Sequence, residues 1–180
     1  RLYKPTNMEQ GKQYPVVVDV YGGPHAQRVT NTWGARNTYW HHMMANRGFV
    51  IFSLDNRGSW NRGKKFEDPI YRKLGDVEVV DQVKGVEFLK TLDFVDPERI
   101  GMFGWSYGGY MTIMSMFKEP DVFKVGVSVA PVTDWYLYDT HYTERYLDHP
   151  ENNKEGYEQS NVFPYIDGLK GDLMIIHGMA

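Results

Sequence analysis

Gly104-Trp105-Ser106-Tyr107-Gly108-Gly109 is the stretch that decides the fold. The apolar run at 100–103 precedes it, and a second apolar run at 107–117, closed by Glu119-Pro120, follows it. The first run reads as a strand and the second as a helix that ends before its proline. A strand that turns into a helix across one serine brings two backbones close together. Small residues are therefore needed two positions before and two after the serine, where Gly104 and Gly108 stand. Such a turn is a nucleophile elbow. Its strain holds the serine hydroxyl above the sheet, and the free N–H groups of the new helix face any oxyanion that forms there.

Working outward, five short β-branched-rich runs predict strands at 16–21, 49–54, 100–103, 125–129 and 173–177. Most lack polar alternation, as strands buried on both faces do. Helices are predicted between them. The one at 37–47 carries Tyr39, Trp40, Met43 and Met44 on its apolar side and Gly48 as the residue that ends it. The one at 76–91 carries Val77, Val80, Val83 and then Val86 or Phe88. Alternating strands and helices predict an α/β protein with a parallel sheet, and the elbow makes it an α/β-hydrolase fold, truncated, with local strand order 2-1-3-4-5. The switch point then falls between the first and third strands. Ligands bind at such a point, beyond the carboxyl ends of the strands, so Tyr21 and Ser106 are expected to face each other across the crevice. Two stretches resist the scheme: a basic, Gly-punctuated loop at 59–74, and a polar, aromatic excursion of short helices at 131–168. Long connections in a compact α/β domain are usually functional.

The composition excludes several classes. Twenty Lys and Arg against 23 Asp and Glu leave a net charge of -3, unlike a strongly basic nucleic-acid binder. No apolar run is long enough to span a membrane. Without cysteine there is neither a disulfide framework nor a thiolate zinc site, and no cofactor or metal is expected. His41 and His42 point to different sides of a helix and cannot share a metal, and His25, His141 and His149 read as loop or surface residues. Asp55, Arg57 and Asp81 are expected to form an internal ion network, and Arg62, Lys64 and Lys65 a solvated loop. Asp19-Val20-Tyr21-Gly22-Gly23-Pro24 closes the first strand. There Tyr21 is either a hydroxyl donor to the oxyanion or a core filler beside a Gly-Gly-Pro turn.

Taken together, the elbow hexapeptide with Tyr110, the Asp19–Pro24 run, Asp55-Asn56-Arg57-Gly58-Ser59 and Tyr142-Thr143-Glu144-Arg145-Tyr146 resemble the prolyl oligopeptidase family of serine peptidases. The resemblance covers the whole chain and is nearest the dipeptidyl peptidase IV branch; bacterial prolyl tripeptidyl peptidases share nearly all of these motifs. It implies an α/β-hydrolase catalytic domain attached to an upstream β-propeller. It also implies an exopeptidase that releases dipeptides after proline or alanine through an acyl-enzyme. Substrates would be peptides with a free N-terminus and penultimate proline, with no nucleic acid involved and a homodimeric parent. By position, Ser106 becomes the nucleophile, with the N–H of Tyr107 and the hydroxyl of Tyr21 as the oxyanion hole. Trp135, Tyr138, Tyr142 and Val132 wall the proline pocket, and Arg145 lies at its rim toward the substrate's amino end. An aromatic box suits a flat, rigid, apolar ring, although aromatic clusters also serve plain core packing.

In this fold the triad runs Ser, Asp, His, so the resemblance sets the acid just after the stretch at 176–180 and the histidine further on. Residues 1–180 accordingly read as a partial catalytic domain, inactive by itself and with an open sheet edge at 173–177. His177 ends the acid's strand and is misplaced for a base. The expected setting of the parent is the periplasm or surface of a bacterium. Three alternatives compete: a tripeptidyl peptidase of the same family, an acylaminoacyl peptidase, and a non-catalytic hydrolase-fold binding protein. The last has no use for a strained elbow.

Overall fold

The computed structural model describes residues 1–32 and 38–178; Asn37, Met179 and Ala180 of the expected elements lie outside them. In chain order the strands and helices are β1 (Leu2–Tyr3), β2 (Tyr14–Val20), α1 (Thr38–Asn46), β3 (Val50–Phe52), α2 (Lys64–Glu67), α3 (Val77–Leu89), β4 (Val95–Trp105), α4 (Tyr107–Lys118), β5 (Val125–Val129), α5 (Thr140–Leu147), α6 (Lys154–Ser160) and β6 (Asp172–Ile176). Short 3-10 turns interrupt the stretches before α3, before α5 and after α6.

One sheet runs β1-β3-β2-β4-β5-β6. Five of its strands are parallel, and in order of appearance they read 2-1-3-4-5. β1, which the sequence reading missed, pairs antiparallel with β3 at one edge. Two residues are too few to produce a periodic signal, and this strand is held by its register, Leu2 opposite Phe52. β4 is longer than its apolar run and breaks register against β2 between Tyr14 and Val16. Pro15 has no N–H to donate there. β6 forms the far edge, with Met174, Ile175 and Ile176 exposed.

Two helices bury faces that match only part of those expected. α1 turns Thr38, His41 and Ala45 inward and leaves Tyr39 and Met43 exposed, because the His41 ring is drawn to a buried carboxylate. α3 buries the expected Val77 and Val86, with Val83 packed against the core, and adds Glu78, Val79, Gln82, Gly85 and Leu89, while Val80 and Phe88 face out. Gly85 explains that choice: a Cβ there would lie 2.9 Å from the Phe52 ring, so the helix seats its bare backbone on β3. α4 differs from both. Every residue from Tyr107 to Phe117 is buried, because the helix lies between the sheet and the aromatic excursion.

The elbow joins β4 to α4. Val20 of β2 pairs with Gly104 of β4, which fixes the ends of the two strands side by side. A Cβ on Gly104 would collide with the Gly108 carbonyl, and one on Gly108 with the Val20 carbonyl. Both obstacles are backbone and cannot rotate away. Gly108→Ala is therefore expected to lower unfolding free energy by roughly 1–3 kcal/mol or more, the range for overpacking. Gly85→Ala, which meets a ring that can tilt, is expected to cost less. Urea denaturation midpoints compare the two.

Candidate active site

Ser106 sits at φ 60 and ψ -119, a strained conformation for a residue with a Cβ. Its N–H donates to the Val129 carbonyl at 2.9 Å, and its own carbonyl accepts from Tyr110 N–H at 3.0 Å, which starts α4. These two bonds tie the serine to β5 on one side and to the helix on the other. The Tyr107 N–H is one of the first donors of α4 and has no partner within the helix. Ala130 and His25 also have positive φ, so backbone strain gathers around the same edge of the sheet.

Ser106 borders two cavities. One, of about 580 Å³, is lined by Asp19, Tyr21, Arg28, Trp40, Phe103 and Trp105. The other, of about 360 Å³, is lined by Val132, Asp134, Leu137, Tyr138 and His177 among others. Tyr21 thus stands across the crevice from Ser106 at the switch point between β2 and β4. Its ring lies 6.0 Å from that of Tyr107.

The rings expected to wall the pocket lie together, but of the expected set only Val132 and Tyr138 line a cavity at Ser106, with Trp135 and Tyr142 packed behind them. Trp135 is buried and stacks on Tyr142, with centroids 6.1 Å apart and planes 11° apart. Tyr138 meets both edge-on, at 5.8 Å from Trp135 and 5.6 Å from Tyr142. Two aspartates shape the backbone that carries them. Asp134 accepts from Tyr136 N–H and Asp139 from Tyr142 N–H, so each caps a short helical turn. The Tyr142 hydroxyl is buried next to Tyr21, and no hydrogen bond to it closes among the described residues. Trp135 Nε1, on the ring stacked against Tyr142, also closes no hydrogen bond among the described residues, so two buried polar atoms of this cluster are left unpaired.

Arg145 stands apart. It contacts His141 at 3.1 Å on the exposed side of α5 and lines a separate cavity of about 180 Å³ with His25, Tyr71 and Tyr146. It does not border either cavity at Ser106. His25 holds Tyr146 through a 2.9 Å bond to its hydroxyl. His177 borders the second cavity, and its Nδ1 lies 2.9 Å from the Gly178 carbonyl; among the described residues, no hydrogen bond reaches the Ser106 hydroxyl. The expected Asp55–Arg57–Asp81 network resolves into two separate pieces. Arg57 forks onto Asp81, whereas Asp55 accepts the backbone N–H groups of Arg28 and Val29.

Several groups near Ser106 were given no role there by the sequence. Asp19 is buried, with His41 Nε2 at 2.6 Å and Arg28 Nη2 at 3.1 Å. Phe103 and Trp40 pair their rings at 5.0 Å on the floor of the larger cavity. Glu78 is fully buried and accepts the Tyr107 hydroxyl. A single charged residue inside a predicted helix carries no sequence signal that it will point inward.

Burial raises the pKa of Tyr21, helped by nearby Tyr138, and raises that of Tyr142, helped by Tyr21. Tyr107 rises well above the ordinary value, first by burial and then by the Glu78 carboxylate. These phenols therefore stay protonated and act as donors. Because the folded state holds their protons more tightly than the unfolded chain, the stability linked to them is full below pH about 10 and declines as pH rises beyond it. An ordinary tyrosine is half ionised near pH 10. Tyr142→Phe is expected to leave the phenolate absorbance at that pH unchanged, and Tyr21→Phe to lower it by less than half a phenolate. Loss of about half a phenolate per substitution would mean ordinary titration.

The model of the prolyl oligopeptidase family matches residues 36–180. The chain is similar to human dipeptidyl peptidase 8, at 41% identity over 181 residues, which are 98% of this chain and 20% of that protein. Among solved structures it superposes with TM-score 0.93 on a provisionally assigned dipeptidyl aminopeptidase IV from Bacteroides ovatus. There the identity is 55%, over 98% of this chain and 25% of the other. The Porphyromonas gingivalis dipeptidyl peptidase 4 gives the same TM-score, 0.93, at 38% identity and the same coverage. The chain thus spans about a fifth to a quarter of the length of these relatives.

Proposed function

The chain belongs to the prolyl oligopeptidase family, and from that membership and the geometry around Ser106 we propose that it supplies the nucleophile, oxyanion hole and proline pocket of a serine exopeptidase. The parent releases N-terminal dipeptides after proline, and more slowly after alanine. The observation that carries this reading is the strained Ser106, with the Tyr107 N–H beside it and Tyr21 across the crevice.

The reaction follows from those positions. Ser106 Oγ attacks the carbonyl carbon of the proline residue and gives its proton to a histidine base. The developing oxyanion is met by the Tyr107 N–H and the Tyr21 hydroxyl, which its environment keeps protonated. Collapse expels the rest of the peptide as an amine, and water then releases the dipeptide from Ser106. The proline ring lies against Val132, Tyr138, Tyr142 and Trp135. An apolar slot of this shape takes a flat ring and excludes charged or bulky side chains. In this reading the acid and histidine of the triad come from the part of the parent that follows β6, and a propeller holds the substrate's amino group. Arg145 serves the amino-terminal side of the substrate through its own cavity rather than through the proline pocket.

The direct test treats the full-length parent with an aryl phosphonate ester. Covalent addition at Ser106, with loss of Gly-Pro-anilide turnover, is expected, and Ser106→Ala should fold normally without turning over. Inactivation with the label on another residue would refute the assignment.

Tyr142→Ala tests the pocket. It should erode the preference for proline over alanine by roughly 1–3 kcal/mol, the range for a changed apolar contact. An equal loss of kcat/KM on Gly-Pro- and Gly-Ala-anilide would remove Tyr142 from specificity.

A further inference from the structure

Glu78 is 0% exposed and borders neither cavity at Ser106. It stands in the first turn of α3. Its Oε1 accepts the Gly75 N–H at 3.0 Å and the Tyr107 hydroxyl at 2.7 Å, and its Oε2 accepts the Asp76 N–H at 3.1 Å. Burial pushes this carboxyl up, and the three donors oppose the rise only in part. Pure packing does not call for such a group. Apolar side chains of similar volume fill a core without the desolvation cost of a carboxylate.

The far end of that bond explains the placement. Tyr107 follows Ser106 directly, and its backbone N–H is the donor at the elbow. Its buried ring also touches the loop that carries the other donor. A Cβ on Gly23 would lie 2.7 Å from Tyr107 Cγ, and the Tyr21 ring lies 6.0 Å away. On another side the Tyr107 ring meets Trp135 at 5.7 Å. α3 braces the same loop a second time. Gln82 donates to Asn56 Oδ1 at 2.9 Å, and Asn56 donates to the Gly22 carbonyl at 2.8 Å. One phenol ring thus hangs from the residue that carries one donor and packs against the loop that carries the other, and one carboxylate accepts at its tip.

We propose that Glu78 is a positioning residue for the oxyanion hole, holding the Tyr107 phenol so that the Tyr107 N–H and the Tyr21 hydroxyl keep a fixed separation. Oxyanion donors act over a narrow range of distance, and a small displacement weakens them in the transition state more than in the ground state. The effect belongs in kcat rather than KM. This inference rests on the peptidase reading of the same site.

The test uses the full-length parent carrying Tyr107→Phe, Glu78→Leu, Glu78→Gln, or Tyr107→Phe with Glu78→Leu. Active sites are counted by phosphonate labelling of Ser106. Tyr107→Phe and Glu78→Leu are each expected to lower kcat per labelled site by roughly 10- to 100-fold, less than loss of a whole donor, with KM within about twofold. Glu78→Gln keeps an acceptor for the phenol and should retain more kcat than Glu78→Leu. The double variant should be no slower than the slower single variant, because both changes cut one link. Unchanged kcat per labelled site, even with a lower melting temperature, would overturn the proposal and leave Glu78 a core anchor. Fully multiplicative losses would also overturn it. If Glu78→Leu does not fold, Tyr107→Phe, which keeps the ring, decides by its kcat alone. Wild-type protein that fails to label at Ser106 would overturn the peptidase reading, and this inference with it. Normal wild-type labelling with unaffected variants overturns only the inference.

Discussion

The close approach of two backbones at Gly104 and Gly108 governs the rest of the structure. Neither position has room for a Cβ, since each looks onto a carbonyl, of Gly108 and of Val20 respectively. That contact presses the start of α4 against the end of β2. It also forces Ser106 into a positive φ, costing roughly 1–3 kcal/mol that the surrounding hydrogen bonds must offset. Loosening the contact would let the serine relax and withdraw from the crevice. The strand order has its chemical meaning here, because only with β2 next to β4 does Tyr21 come to face Ser106.

Aromatic side chains do two things at once around this turn. Tyr107, Tyr110 and Trp135 form a buried cluster with ring centroids between 5.2 and 5.7 Å apart. Tyr142, Tyr138 and Tyr21 continue it outward to the cavities. The rings that reach the cavities are therefore the outer layer of the core and are held by the same packing. Ring–ring contacts are each worth only about 0.5–1.5 kcal/mol beyond area, but a chain of them leaves little freedom to any single ring.

Among the described residues, the buried carboxylates have partners. Asp19 faces His41 and Arg28, and Glu78 takes three donors. Asp19 lines the larger cavity at Ser106 and Glu78 meets Tyr107 next to it, and an unpaired charge at either place would cost several kcal/mol. The exposed pairs, such as Lys84 with Glu87, are solvated and contribute little.

The elbow, the parallel strands and the aromatic run from Trp135 to Tyr146 were legible in the sequence because each is a local signal. Glycine spacing, β-branched runs and family motifs do not depend on what lies across the fold. The inward faces of α1 and α3 were legible only in part. Val77, Val83 and Val86 of α3 face in as expected, whereas Val80, Phe88, Tyr39 and Met43 do not, because Gly85 and His41 seat the helices. A helix turns toward the partner that best fits its bare or charged positions, and that partner is distant in sequence. The burial of Glu78 and Asp19 was silent for the same reason, since a carboxylate reads as solvated until partners from distant elements are brought around it. The sequence by itself determined that a serine would stand on a strained turn above a parallel sheet. Only the tertiary structure decided which charges would be buried beneath that serine. Hydrogen-bond geometry depends on distances between elements far apart in the chain, and no local pattern encodes those distances.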